Sequence, residues 1–463
     1  MHLRRGRIWK TSIAMVAVSA FVPTGAQAEE SDLESRLEEM NQRMNRLEEK
    51  LTATNDELDS ARRTVDEQRE VLREAGLEED RGGALSALSS FLEKTDFNGW
   101  VATSYTFNTE NDGNDGIRGQ NENLPFHDDS NAFKLNQLWF AIDKDVDEES
   151  RAGFHADILF GSDAEALGGS GGSIFRDDDS GGNDGIELFT GYVSYLAPLM
   201  DGIRVDMGEL PTLLGAEVVQ SPQNFNITRG LLWNLQPVTH TGIIVSTEFE
   251  SGLGVAAGFV NDGFNDFNRD NDDNKAFTGQ LSYSGETWSA AASVLYGSPS
   301  FDGNGKYRSN EGDKEGMVDF LVTAQPMEEL SIWINFDWGF NRSIVQIGRT
   351  GRVIQKYDDA DVFGIAAAAR YQVLETTGVA IRGELVAESD GYLGLPKGDG
   401  DSKLYSLTAT IDHALTDNLL ARIEGRFDWA DIDGANNEIF LDANGRRKES
   451  DQQVLLAELI YNF

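Results

Sequence analysis

The sequence has 463 residues, in which 39 lysines and arginines oppose 79 aspartates and glutamates, giving a formal net charge of −40. This acidic balance argues against binding to nucleic acid and against electrostatic attachment to anionic lipid surfaces. The sequence contains no cysteine, which excludes disulfide bridges and thiolate metal sites.

Residues 1–28 have the pattern of a secretory signal peptide. Basic residues between Arg4 and Lys10 precede an apolar stretch at residues 13–22, and Ala26-Gln27-Ala28 follows it. A basic region, a short apolar core and an A-x-A site indicate a cleaved signal. The apolar stretch is too short to span a bilayer. We therefore expect cleavage after Ala28 and a mature protein in the periplasm, the outer membrane or the exterior.

Residues 29–76 show a heptad pattern. Apolar side chains recur at alternating three- and four-residue steps, at Leu33, Leu37, Met40, Met44, Leu47, Leu51, Leu58, Val65 and Leu72. The pattern predicts a periplasmic coiled coil about 65–70 Å long. The alternative is a single helix that folds against the rest of its own chain. Oligomerisation is favoured because an isolated amphipathic helix is marginal in water. Residues 77–95 are predicted to be a linker.

From residue 96 onward, segments that alternate apolar with polar side chains are separated by short and long gaps in turn. The predicted strand starts are Phe97, Ala132, Arg151, Ile186, Gly202, Val238, Gly252, Ala276, Thr287, Met317, Leu330, Asp361, Thr377, Lys403, Asn418 and Gln452. Short periplasmic turns and long outer loops are typical of outer-membrane barrels. The fold predicted is an all-β transmembrane antiparallel barrel of about 16 strands over residues 96–463, preceded by the α-helical coiled coil.

The two faces of the predicted strands differ in chemistry. Ile334, Phe336 and Trp338 alternate with Asn335 and Asp337. Charged side chains are costly against lipid, so they are expected to face water inside the barrel. The final segment has an apolar, partly aromatic face made by Leu455, Ala457, Leu459, Tyr461 and Phe463. This ending resembles the C-terminal strand of bacterial outer-membrane barrels.

The loop predicted after the fifth strand, at residues 210–237, differs from the other long loops. The others consist mostly of glycine, asparagine, aspartate and serine, whereas this loop also carries aliphatic and aromatic residues such as Leu213, Leu231 and Trp233. Such a composition indicates a loop that packs against protein. We therefore expect it to fold into the lumen and form a constriction, as the corresponding loop of general porins does.

The same stretch carries a family resemblance. The run at residues 208–217, the pair Arg229-Gly230, and Pro237 followed by His240-Thr241-Gly242 resemble the OmpL-like family of outer-membrane β-barrel porins over about residues 96–463. The resemblance implies a pore and an outer-membrane location, without naming a solute.

Strand parity and the loop together predict the residues that line the pore. Arg370, Arg382, Arg422 and Arg426 should point inward with acidic neighbours, opposite the loop carboxylates. The predicted pore-lining and constriction residues are Glu209, Glu217, Arg229, Arg370, Arg382, Glu384, Arg422, Glu424 and Arg426. Opposed charges would create a transverse field that favours polar solutes. In the alternative, these charges pair with each other along a solvated wall.

Catalysis finds little support in the sequence. The five histidines show no metal-ligand spacing, and no Ser–His pair suited to a hydrolase is found. Acidic runs such as residues 177–179 are best interpreted as solvated loops, with weak divalent binding as an alternative. No enzyme activity, metal or cofactor is predicted.

The predicted function is passive diffusion of small hydrophilic solutes through a water-filled porin in the outer membrane of a Gram-negative bacterium. The expected partners are outer-membrane lipid, lipopolysaccharide and two further copies in a homotrimer. A porin specific for a sugar or an oxyanion is one alternative. In the other, the barrel holds a coiled-coil spacer that extends toward peptidoglycan.

Overall fold

The structure, a computed structural model, describes part of the chain. The described residues are 94–109, 121–168, 185–199, 202–261, 275–297, 314–347, 353–389, 402–432, 437–442 and 447–463. The predicted signal peptide, the predicted coiled coil and all but the last two residues of the predicted linker lie outside them.

The described elements are mostly strands in sequential order. They are β1 Asp96–Asn108, β2 Ala132–Lys144, β3 Ala152–Phe160, helix α1 Ser162–Gly168, β4 Ile186–Ala197, β5 Ile203–Pro211, two 3-10 turns at Ser221–Gln223 and Trp233–Leu235, β6 Thr239–Glu248, β7 Leu253–Val260, β8 Ala276–Ser284, β9 Trp288–Gly297, β10 Glu315–Met327, β11 Leu330–Ile347, β12 Val353–Leu374, β13 Thr377–Glu388, β14 Ser402–Thr416, β15 Leu419–Ile432, β16 Phe440–Leu441, β17 Arg447–Glu449 and β18 Asp451–Asn462. Among the described residues, no helix has the length and apolarity needed to cross a membrane.

Within the described part of the chain, sixteen strands close into one antiparallel barrel, and β16 and β17 form a separate hairpin. Each barrel strand pairs with its neighbours in the sequence, and β1 pairs with β18 from Trp100–Asn462 to Asn108–Val454. Gly99 and Phe463 also exchange backbone hydrogen bonds of 3.1 and 2.9 Å. The predicted sixteen-stranded antiparallel barrel is therefore confirmed.

The predicted strand boundaries fail mainly at β12. This strand begins at Val353, whereas the sequence predicted its start near Asp361. Lys356, Asp358 and Asp359 break the apolar alternation, so the segment had the composition of a loop. In the structure the segment continues the ladder with the end of β11, where Val345 pairs with Lys356. Backbone pairing extends beyond the apolar pattern because a ladder needs only N–H and C=O groups.

Side chains alternate between an apolar outer face and a polar inner face. On β11, Ile334 is 46% exposed on the outside, whereas Asp337, which points to the opposite face of the same strand, is fully buried on the inside. The outer faces carry Phe320, Trp338 and Leu459 among many other apolar residues. Many inward side chains are buried because other parts of the chain fill the lumen beside them. Among the described residues, the longest such part is the segment between β5 and β6.

Candidate functional site

The segment between β5 and β6, residues 212–238, lies inside the barrel, and we call it the lumen loop. It bonds to inward-facing side chains on several parts of the wall. The wall residues that contact it by hydrogen bonds or ion pairs include Gln137, Gln280, Ser293, Asn335, Asp337, Arg382, Glu384, Thr410, Arg422, Glu424 and Arg426. These residues belong to β2, β8, β9, β11, β13, β14 and β15.

Arg229 holds the lumen loop in its own fold. Its guanidinium donates to the carbonyls of Val218 at 2.9 Å and Ile227 at 2.8 Å, and also to the carbonyl of Val219. The side chain is buried. Five N–H donors in a rigid plane can satisfy several carbonyls at once. Arg229 is therefore positioned to stabilise the loop backbone, and it presents no free charge to the lumen.

Arg382 on β13 connects the loop to the wall. It forms ion pairs with Glu217 of the lumen loop and with Glu384 on its own strand, the latter at 3.1 Å. It also donates to the carbonyl of Thr228 at 2.6 Å. Glu217 in turn accepts the backbone N–H of Gly230 at 2.7 Å. The sequence predicted that Glu217 would oppose the wall arginines, and the structure brings it to Arg382.

Strand β15 presents three alternating charges to the loop backbone. Arg422 donates to the carbonyl of Asn224 at 2.9 Å, and Arg426 donates to the carbonyl of Arg229 at 2.6 Å. Between them, Glu424 accepts the backbone N–H of Thr228 at 3.0 Å. Period-two alternation directs all three side chains to one face. The loop backbone supplies both carbonyl and N–H groups. The two arginines therefore bond to carbonyls, and Glu424 bonds to an N–H group.

Amide side chains hold the loop to other strands, and sequence reasoning missed them. Gln137 on β2 donates to the carbonyl of Val219 at 2.7 Å. Gln280 on β8 donates to the carbonyl of Leu213 at 2.7 Å. From the loop itself, Gln236 donates to Asp337 at 2.8 Å. The sequence signal that could have indicated these contacts is an amide side chain at an inward position of a strand whose other residues are apolar or charged.

The loop also has an apolar contact with the wall. Leu214, Leu231, Leu232 and Leu235 belong to one buried cluster with inward residues of β11, β12 and β14. The β12 residues in it include Ala366 and Ala368, whose short side chains leave room for the leucines. These leucines explain why the loop is richer in aliphatic residues than the other long loops.

Two predicted site residues lie away from this contact. Arg370 forms an ion pair with Asp412, with Nε at 2.9 Å from the carboxylate, and has no described contact with the loop. Glu209 shares the face of Met207, which is 60% exposed on the outside of the barrel, and bonds to the Thr241 hydroxyl. The prediction that Glu209 faces the wall arginines is wrong. Strand β5 continues through Pro211, so Glu209 keeps the outward parity of its strand.

Residues 121–131, which we call the first loop, cover part of the lumen loop. The ring of Phe126 lies 5.3 Å from that of Trp233, and the Arg229 guanidinium lies 5.1 Å from the Phe126 centroid. His127 is buried within 3.4 Å of the Ser104 and Thr106 hydroxyls. Burial, and then the nearby positive charge of Arg229, lowers the pKa of His127 to about 3.

Charge pairing dominates the electrostatics of the site. Four arginines, Arg229, Arg382, Arg422 and Arg426, stand near five carboxylates, Glu217, Glu384, Glu424, Asp428 and Glu458. The four arginines are each at most 3% exposed. They pair with carboxylates and loop carbonyls, in line with the sequence alternative of mutual pairing. The difference is that the loop, rather than water, covers them.

In the described part of the chain, two cavities lie beside the lumen loop. One of about 430 Å³ lies beside Trp233, Gln220, Gln223 and Gln280, with Phe189 among its other lining residues. A second of about 340 Å³ is lined by residues of the first loop and by Leu231 and Asn234, among others. In the described residues, no group of three or more histidine, aspartate or glutamate side chains is arranged to hold a metal ion.

A closed barrel of this size, apolar outside and holding a folded loop within a charged lumen, defines the class of outer-membrane porins. Residues 94–463 match the model of the family described as "Putative beta-barrel porin-2, OmpL-like", and the chain belongs to that family. The resemblance predicted from the sequence is thereby confirmed. Membership supports an outer-membrane location and a channel without enzyme activity. No curated protein matches the chain.

Three solved structures with similar folds are distant from this chain in sequence. OmpT of Vibrio cholerae is 12% identical, with a TM-score of 0.49, over 80% of this chain and 97% of that one. The outer-membrane channel DcaP of Acinetobacter baumannii is 10% identical, with a TM-score of 0.49 and the same coverage of both chains. A porin refined at 1.8 Å resolution is 10% identical, with a TM-score of 0.43, over 80% of this chain and 100% of that one. The three likenesses concern the fold alone.

Proposed function

We propose that this chain forms a water-filled channel for passive diffusion of small hydrophilic solutes, with the lumen loop as its constriction. The observation that carries the proposal is a loop folded inside a closed barrel and bonded to at least seven of the described strands. In this proposal Glu217, Arg229, Arg382, Glu384, Arg422, Glu424 and Arg426 fix the shape of the constriction. Their role is to hold the loop in place, because their charges are already paired.

The open path is proposed to run past the inward faces of β3, β4 and β5. There His155, Tyr192 and Arg204 remain partly exposed. His155 bonds to Asp143 at 2.8 Å and to Asp157 at 3.0 Å, and Arg204 bonds to Asp206 at 2.9 Å. Carboxylates outnumber basic groups in this set. A channel lined this way attracts cations, so we propose a modest preference for cations over anions.

We also propose a homotrimer in the outer membrane, with residues 29–76 as a coiled coil in the periplasm. The heptad repeat supports association, since three copies would bury apolar stripes that one helix leaves exposed. Lipid and lipopolysaccharide would contact the apolar outer face. An additional contact of the coil with peptidoglycan would be compatible with the channel function.

Single-channel conductance in planar bilayers, with a salt gradient across the membrane, tests the proposal. We expect steady conductance steps that occur in groups of three and a reversal potential of the sign that cation preference gives. Protein that is correctly folded and inserted but carries no current would contradict the open channel. A reversal potential of the opposite sign would contradict the proposed cation preference while leaving the channel itself intact.

A further inference from the structure

The cavity beside the lumen loop, next to Trp233, has the size of a small-molecule site. Its volume is about 430 Å³, and ligand sites in proteins commonly fall between about 300 and 1,000 Å³. It lies between the loop and residues of β4, β5 and β8. Phe189, Pro211, Trp233 and Pro237 supply apolar surface within it.

The polar part of the lining carries amides and no basic group. Gln220, Gln223, Gln236 and Gln280 line the cavity, together with the single ionisable residue Glu217. Both carboxylate oxygens of Glu217 are already engaged, one by the N–H of Gly230 and the other by Arg382. The cavity therefore offers no basic side chain to an anionic solute. The only carboxylate that it could offer to a cationic solute, that of Glu217, is already paired with Arg382.

Two of the amides are free to bind a solute. Gln236 and Gln280 are committed to the loop contacts described above. By contrast, among the described residues the side-chain amides of Gln220 and Gln223 make no hydrogen bond within the protein. Each amide offers two N–H donors and a carbonyl acceptor. Hydroxyl groups also donate and accept, so adjacent hydroxyls on one solute match a pair of amides.

Trp233 supplies the surface that a ring-shaped solute requires. It is partly exposed and packs against Phe126, so its position is held by a second aromatic ring. A flat aromatic face offers a large apolar contact, against which the C–H side of a sugar ring can lie. The side-chain amides of Gln220 and Gln223 can then form hydrogen bonds with the hydroxyl groups at the edge of the sugar ring. The oxyanion alternative has no such support, because all four arginines at the loop are buried and paired.

We propose that this cavity binds an uncharged polyhydroxylated solute the size of a mono- or disaccharide, with Trp233, Gln220 and Gln223 as the contacting residues. The inference rests on the proposed channel function, since it names the class of solute that the constriction selects. Stacking on Trp233 and hydrogen bonds with the two amides slow the passage of such a solute through the pore. Such a solute therefore interrupts the ion current while it is bound.

The test measures block of the ion current by maltose, with inorganic phosphate at the same concentration as the contrasting probe. Maltose is expected to reduce the current with a saturable concentration dependence, and phosphate is not. Trp233→Ala should weaken the apparent affinity by about 10-fold or more, as loss of a buried aromatic contact does. Gln223→Ala should weaken it about 3- to 10-fold through lost hydrogen bonds. Trp338→Phe on the outer face is the matched control and should leave the affinity unchanged.

Calorimetric titration of maltose into the folded protein in detergent separates the two proposals. If the channels conduct but maltose does not reduce the current, in the unaltered protein or in the variants, the inference about the solute is overturned. The proposed channel function would remain supported. Block by phosphate as strong as block by maltose would also overturn it. Channels that carry no current, in protein that still binds maltose through Trp233, would support the binding site and contradict the open channel. No current together with no binding would contradict both.

Discussion

Arg382 offers the sharpest test of how the wall holds the lumen loop. Its guanidinium lies between Glu217 of the loop and Glu384 of the wall and is fully buried. Arg382→Met keeps much of the side-chain length but removes the charge and every donor. Two carboxylates then face each other without their cation, and the Thr228 carbonyl loses the donor that stood at 2.6 Å.

The expected loss in loop-docking free energy follows from that burial. Breaking a buried ion pair by removing one partner typically costs about 3–5 kcal/mol, because the charge left behind has no compensation. Adding Glu217→Gln to Arg382→Met removes one of the stranded charges. We expect the double variant to regain about 2 kcal/mol, since neighbouring sites in one network do not act additively.

Hydrogen exchange measured on peptides from residues 212–238 reports the docking free energy directly. A loss of about 3–5 kcal/mol corresponds to exchange roughly a hundred- to several-thousand-fold faster. Conductance traces should show more frequent fluctuations because the constriction is less firmly held. Arg370→Met is the matched control. Arg370 pairs with Asp412, is 27% exposed along its side chain and does not contact the loop in the described structure.

Two outcomes would refute this reasoning. One is loop exchange in Arg382→Met that equals that of the unaltered protein. The other is equal acceleration in Arg382→Met and Arg370→Met, which would mean that any change of wall charge loosens the loop. Failure of Glu217→Gln to restore protection in the Arg382→Met background would further show that the cost lies outside the stranded charge.

Acid is expected to loosen the first loop. Since the pKa of His127 is lowered to about 3, stability is lost as pH falls below the unfolded value of about 6.5, by about 2 kcal/mol at pH 5. Exchange of residues 121–131 at pH 7 and 5 measures this, and His127→Gln should remove its contribution. Gly215→Ala should weaken loop docking by about 1–3 kcal/mol, because its φ is +93° and the new Cβ would meet Gln236. Gly383→Ala, with open space around the Cβ, should leave loop exchange unchanged.

The barrel was predictable because its signals are local. Alternation of apolar and polar side chains needs only two neighbouring residues, and the short turns can be recognised individually. All but one of the predicted strand starts agree with the structure to within two residues. The exception, Val353, begins a segment whose pairing depends on the end of β11. Such pairing has no signature in the paired residues alone.

The site was predictable only in part, because its contacts depend on backbone atoms. Parity alone directs Arg382, Arg422 and Glu424 inward. Their main partners are nevertheless carbonyls and N–H groups of the loop, which every residue type supplies. Glu209 was mispredicted because it was grouped with the loop that follows it, whereas β5 continues through Pro211. Gln137 was missed because an amide on a strand carries no charge to suggest its partner.

The pairing of β1 with β18 has a consequence for folding kinetics. These strands lie near opposite ends of the barrel sequence, and the seam joins Trp100 to Asn462. Contacts of such long sequence separation form slowly, since the entropy of the intervening chain must be lost first. Until the seam forms, both strands keep unpaired edges that can template association with other chains. Closure should therefore be the slow step of assembly, and the nearly complete open sheet its most aggregation-prone species.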